Sequence, residues 1–203
     1  LGVYRFDNGA YVSGLVGAGM SRVDTERRFA TGLLDYHLAG DIEGDLYLAS
    51  VEGGWNLDIT SAMTLTPNAS VRHYVLRTGA YTESGGDAAL AVAEQLFERS
   101  EARLGLRLAG DAPVFGWRLS PTLDAALVAN LSGEEGGVWA HFAAAPDVSF
   151  YLPGALRDDY WGEVVGGLRL VRGDTSFALR LETSVGREEQ YEDRYVARFA
   201  RRF

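Results

Sequence analysis

The sequence predicts an all-β protein: an antiparallel, up-and-down transmembrane β-barrel with about nine strands present. Three observations predict it. Apolar and polar residues alternate with period two in segment after segment, short and long connections take turns along the chain, and aromatic residues gather at strand ends.

Taken in order, LGVYRF (1–6) reads as the end of a strand, and GAYVSGLVGAGM (9–20) as a glycine-rich, weaker one. DLYLASVEGGWNLDI (45–59) sets Tyr47, Ala49, Val51, Trp55 and Leu57 against Ser50, Glu52, Asn56 and Asp58. AMTLTPNASVRHYV (62–75) sets Met63, Leu65, Ala69, Val71 and Val75 against Thr64, Asn68, Ser70 and Arg72. SEARLGLRLAG (100–110) opposes Ala102, Leu104, Leu106 and Leu108 to Glu101, Arg103 and Arg107. In FGWRLSPTLDAALVANL (115–131), Trp117, Leu119, Leu123 and Leu127 oppose Arg118 and Asp124. That run is too long for an average soluble strand and reasonable for a tilted membrane strand with an extension.

YWGEVVGGLRLVR (160–172) opposes Val164, Leu168 and Leu170 to Glu163 and Arg169. TSFALRLETSVGR (175–187) opposes Phe177, Leu179 and Leu181 to Arg180 and Glu182. The last segment, YEDRYVARFARRF (191–203), carries Tyr191, Tyr195, Phe199 and Phe203 on one parity and Arg194, Arg198 and Arg202 on the other. A stretch at 87–104 also fits an amphipathic helix, and a strand extending above the membrane is the preferred reading.

Short connections fall at 7–9, 60–61, 111–113 and 173–174, and long ones at 23–43, 77–99, 132–159 and 187–190. Tight turns on one rim and large loops on the other are the layout of an outer-membrane meander, whereas a Greek-key sandwich does not sort its loops this way. Phe6, Trp55, Phe115, Trp117, Phe177 and Phe203 lie at the short-turn rim, and Tyr47, Tyr160, Tyr191 and Tyr195 towards the other. Two aromatic girdles at headgroup depth produce that sorting.

Parity alone does not say which face looks inward. A nearly uncharged mid-strand band favours lipid for the apolar face, because an Arg at the bilayer midplane costs about 2–4 kcal/mol. The expected lipid-facing residues are Trp55, Leu65, Val71, Leu104, Leu106, Trp117, Leu119, Leu123, Leu127, Leu168, Leu179 and Leu181. The expected lumen-facing residues are Arg72, Arg103, Arg107, Arg118, Asp124, Glu163, Arg169, Arg180, Glu182, Arg194 and Arg198. Nine strands form an odd, open sheet whose edges carry unpaired backbone groups, so strands upstream of Leu1 are expected to complete the barrel.

Composition bounds the alternatives. The 203 residues suffice for one large domain, and a net charge of −9 argues against a general nucleic-acid binder. All 19 basic residues are Arg, and cysteine is absent. There is no apolar run long enough for a transmembrane helix, which does not bear on a barrel. His37, His73 and His141 lack metal-ligand spacing, no nucleophile–base pair is marked, and no cofactor is expected.

LTPNASVRHYVLRTGAYTESGG followed by ALAVAEQLFERSEARLGLRL resembles the central region of the autotransporter beta-domain family. HFAAAPDVSFYLPGALRDDYWGEVVGGLRL resembles its large loop and next strand, and RYVARFARRF its closing strand. The resemblance implies a twelve-stranded outer-membrane barrel of a Gram-negative bacterium, with about three strands missing here. It implies a translocator rather than an enzyme, supporting export of an N-terminal passenger, with the lumen later plugged by a helix; passenger and helix are absent from this chain. It also implies that Tyr195, Phe199 and Phe203 form the signal read by the barrel-assembly machinery. Asp124, Glu163 and Glu182 could serve passenger cleavage within such a family, and ordinary ion pairing with lumen Arg is the preferred reading. Two alternatives stay open: a passive pore of porin type, and a soluble ligand-binding β-barrel with an apolar interior.

Overall fold

The computed structural model describes residues 1–31, 34–133, 137–154, 158–187 and 193–202. The chain opens with β1 (Gly2–Arg5), β2 (Ala10–Thr31), β3 (Leu34–Trp55), β4 (Leu57–Thr60) and β5 (Met63–Thr78). Next come β6 (Tyr81–Thr82), β7 (Leu90–Val92), β8 (Gln95–Gly110), β9 (Ala112–Val114) and β10 (Trp117–Ser132). It ends with β11 (Gly137–Phe142), β12 (Ala145–Pro153), β13 (Tyr160–Arg172), β14 (Thr175–Val185) and β15 (Asp193–Arg201).

The main sheet is an antiparallel meander in the order β1-β2-β3-β5-β8-β10-β13-β14-β15, with β4 and β9 as short continuations that pair with β5 and β10. The nine strands along this path correspond to the nine alternating segments. Its edges are β1 and β15, and among the described residues the sheet is open.

Its curvature follows from side-chain reach. Arg72 on β5 stands 3.7 Å from Glu163 on β13, three strands along the sheet. The row of Arg72 meets β10 at Asn130, whereas Glu163 pairs with Ala126, four residues further along. In a flat sheet these two backbones would stand about 14 Å apart across the strands and about 13 Å along them, roughly 19 Å in all, more than the two side chains and their contact span. The sheet is therefore concave towards the face that carries Arg72 and Glu163.

The short connections are tight for local reasons. β13 and β14 pair from Arg172 and Thr175 onwards around Gly173 and Asp174, with Gly173 at φ +54°. β9 and β10 pair Val114 with Trp117 around Phe115 and Gly116, at φ +50° and +77°. Positive φ at both central residues, as at Phe115 and Gly116, or at the first alone, as at Gly173, gives the primed turns whose twist matches that of the strands. The sequence expectation placed this turn at 111–113; the structure moves it to Phe115 and Gly116. Pro113 lies within a short strand, opposite Arg118, rather than in the turn.

The long connections differ more from expectation. Residues 23–43, expected as a loop, are largely strand: β2 and β3 pair continuously from Ala10↔Trp55 to Thr31↔Leu34. The connections 77–99 and 132–159 contain β6, β7, β11 and β12, which form a second antiparallel sheet in the order β12-β11-β7-β6. The 87–104 stretch is strand in β7 and β8, as preferred over a helix. The second sheet joins the β2–β3 extension through reciprocal backbone hydrogen bonds between Ala39 and Ser84, at 3.0 and 2.8 Å. Gly85, at φ +115°, lies so close to the His37 carbonyl that a Cβ there would collide with it. Leu38, Ala89, Val92 and Ala140 are buried in this region.

Candidate functional site

The register fixes the faces. Along one row Thr66 faces Arg107, which faces Asp124; along the next, Asn68 faces Gly105, then Ala126, then Glu163. Further along the strands come the rows Ser70–Arg103–Val128–Trp161 and Arg72–Glu101–Asn130. Because side chains alternate across a pleated sheet, all these residues share the concave face. The eleven polar residues singled out above fall on this parity, and the twelve apolar ones fall on the other.

Burial is inverted relative to a water-soluble β-protein. On the concave face Thr66, Asn68, Ser70, Glu101 and Asp124 are buried. On the convex face Leu104 is 66% exposed and Leu127 is 71% exposed. A domain folded in water buries the leucines and leaves the carboxylates outside.

The buried carboxylates are paired with arginines, while Arg72 Nε is buried without a hydrogen-bond partner among the described residues. Arg103 contacts Asp124 and lies 3.3 Å from Glu163, while its Nη1 donates to Asn68 Oδ1 at 2.7 Å. Arg107 Nε donates to the other oxygen of Asp124 at 2.8 Å. Arg72 bridges Glu101 and Glu163 at 3.4 and 3.7 Å, and Arg99 meets Glu101 at 2.7 Å. Carboxylates this enclosed are tolerated when their charge is answered, and Asp124 accepts hydrogen bonds from both of its arginines as well.

The concave face therefore gathers Arg72, Arg103, Arg107, Asp124 and Glu163 into one network. Arg118 sits apart in an exposed pair with Asp111 at the short-turn rim, and Arg180 pairs with Glu182 on β14. Glu182 stands opposite Arg194, and Arg169 and Arg198 occupy exposed positions of the same face. Of the aromatic C-terminal residues, Tyr195 and Phe199 lie on the convex face of β15, and Phe203 lies outside the described residues.

Sequence reasoning missed Arg99, Tyr11 and Trp161. Tyr11 donates to Glu52 at 2.6 Å. Trp161 is 3% exposed, donates to Glu163 at 3.3 Å, and has the guanidinium carbons of Arg99 and Arg187 at 5.2 and 4.0 Å from its ring centre. Parity counting from Glu163 places Trp161 inward, a signal available in the sequence.

On the convex face, Trp117, Phe177 and Phe199 form a chain of rings with centroids 5.9 and 5.0 Å apart near the short-turn rim. Trp55 at the same rim donates its indole N–H to the Asn8 carbonyl at 2.8 Å. At the opposite end, the apolar series Val12, Val16, Met20 on β2 gives way to Arg22, paired with Asp41 and Glu43 on β3. The Arg22 hydrogen bond holds the Asp41 carboxyl below its usual range.

Beyond that point the concave side of the extended hairpin is also pinned. Arg27 donates to Glu83 at 2.6 Å and to the Ala88 carbonyl at 3.1 Å, and the Leu90 N–H reaches Glu83 at 2.9 Å. Burial pushes the Glu83 carboxyl up, but the hydrogen bonds from Arg27 and Leu90 outweigh it and leave the carboxyl below its ordinary value. Among the described residues no group of three or more acidic or His side chains could hold a metal ion, and no helix is long and apolar enough to cross a membrane.

No curated protein matches the chain. The family model of the autotransporter beta-domain matches residues 1–183. With an inverted antiparallel meander and that match over most of its length, the chain belongs to the autotransporter beta-domain family, the outer-membrane β-barrel translocators through which Gram-negative bacteria export a passenger in type V secretion.

Proposed function

We propose that the convex face of this chain lies against acyl chains while its concave face lines a hydrated lumen through which the passenger leaves. The observation that carries the reading is the change of polarity along the convex side of β2. From Ala10 to Met20 this side is apolar over eleven residues, and from Arg22 onwards it is charged. Eleven residues rise about 36 Å along a strand, and a tilt of about 35–45° reduces this to about 26–30 Å, the height of an outer-membrane apolar band.

Closure requires strands beyond these nine. Among the described residues β1 and β15 each have one side without a partner strand in the sheet, and unpaired backbone groups in hydrocarbon cost several kcal/mol each. On this reading residues 1–203 supply nine strands of a single barrel domain that further strands complete. The aromatic parity of the last strand, with Tyr195, Phe199 and Phe203, supports recognition by the barrel-assembly machinery. No catalytic step is assigned: the chain works as scaffold and conduit.

The test is protease accessibility of the passenger on intact cells. Deleting residues 1–203 retains the passenger inside the outer membrane; a passenger that reaches the surface without them contradicts the reading.

A further inference from the structure

Arg103 lies flat against the concave wall. Its Nη1 donates to Asn68 Oδ1 at 2.7 Å, its Nε to Glu163 Oε2 at 3.3 Å, and its Nη2 to Asp124. Those partners stand on β5, β13 and β10, so a single guanidinium ties three strands to β8. The side chain is 11% exposed, although it carries a full charge on the face assigned above to a hydrated lumen. An arginine beside water ordinarily extends its head into it. This one is folded down along its own strand, over Gly105.

Gly105 supplies the room. It stands one pleat from Arg103 on the same side of β8 and pairs across the ladder with Asn68. A Cβ at this position would lie 2.6 Å from Arg103 Nη1 and 2.8 Å from Asn68 Oδ1, inside the hydrogen bond that joins them. The backbone itself does not call for glycine, because Gly105 lies within a regular strand and has no positive φ. The atoms nearest that Cβ are side-chain tips rather than main chain. Glycine inside a strand gives up packing and stiffness, so its use here is explained by what it accommodates. With a larger residue at 105, Arg103 has one way to move. The sheet lies behind it, and Asp124 and Glu163 beside it are held by Arg107, Arg72 and Trp161. The open side is the lumen.

We infer that Gly105 is a positioning residue for export: by receiving the Arg103 guanidinium on the wall, it keeps that side chain out of the passenger's path. This rests on the conduit reading above and adds which residue clears the bore. Seated, the guanidinium is paired with two carboxylates. Displaced, it would stand in the lumen as a charged, forked donor set to which acidic segments in transit would bind.

The experiment uses the protein expressed with its passenger. Gly105→Ala adds one methyl group, too little to obstruct a lumen by itself, and creates the overlap with Arg103. The variant should assemble in wild-type yield with normal heat-modifiable migration, yet deliver passenger to the surface about tenfold more slowly. Overpacking of the usual size lowers the population of the seated side chain by about that factor. Arg103→Ala alone should export at the wild-type rate, and Gly105→Ala with Arg103→Ala should recover it, because the side chain to be displaced is gone. A merely structural need for glycine in β8 would leave the double variant as slow as the single one, and that result overturns the inference. Export of Gly105→Ala at the wild-type rate overturns it too, as does a loss of barrel yield in that variant, which would place the need for glycine in folding. A wild-type protein whose passenger stays inside the outer membrane contradicts the conduit reading itself, a different result.

Discussion

Met20 and Arg22 project from the same side of β2, one pleat apart, the first 91% exposed and apolar, the second held by Asp41 and Glu43. A fully exposed methionine directly beneath a paired guanidinium marks a change of solvent, from hydrocarbon to water, within one strand. Across this boundary the opposite side changes too: below it the concave side carries Glu52 and Arg72, while in the extension it carries the fully buried Leu38.

The cost of a charge on the convex face should therefore depend on depth. Leu123→Arg should destabilise the barrel in vesicles by about 2–4 kcal/mol, and Met20→Arg by about 0–1 kcal/mol. Denaturant unfolding of the vesicle-inserted protein measures both, and equal penalties would remove the boundary at Arg22.

Asp124 is shared by Arg103 and Arg107. Asp124→Ala should destabilise by about 3 kcal/mol, because two guanidiniums lose their counter-charge in an enclosed position. Adding Arg103→Gln should recover part of that loss, and a double-mutant cycle with zero coupling would dissolve the network.

Glu83 makes the extension sensitive to acid. Its folded pKa lies below the ordinary glutamate value, so its contribution is fully present above that value and is lost as pH falls through the folded pKa. Limited proteolysis within 77–99 should accelerate below about pH 4. Glu83→Gln should remove this acid dependence; a rate that ignores pH in the wild-type protein contradicts the Arg27–Glu83 pin.

Removing Phe203 should leave synthesis intact and sharply reduce the yield of heat-modifiable barrel, and Phe199→Ala should do so more weakly. Normal assembly of the deletion variant would withdraw the terminal recognition role.

The strand path was legible because period-two alternation survives wherever one face meets hydrocarbon and the other meets charge, as from Trp117 to Leu131. It failed where the solvent changes. In the segment 23–43 both sides of the hairpin obey the ordinary rule of water, so the pattern shifts phase and reads as loop, although Arg22, Asp24, Glu26 and Arg28 recur with period two. The Phe115–Gly116 turn was missed because a bulky residue at positive φ is not a turn signal. The second sheet was illegible because β6 and β7 are two and three residues long and take their pairing from partners far along the chain. Of the inner face, parity identified the charged members; it gave no means of knowing that Arg72 and Glu163 meet across three strands, because curvature is a property of the whole sheet.

The orientation of the two faces is tested most directly along β10. The chain has no cysteine, so single cysteines at Ala125, Ala126, Leu127 and Val128 can carry a spin label without background. In lipid vesicles, labels at Ala125 and Leu127 should be relaxed by oxygen dissolved in the acyl chains, and labels at Ala126 and Val128 by a water-soluble nickel chelate. The opposite assignment, with Leu127 accessible to nickel and Ala126 to oxygen, would contradict the account.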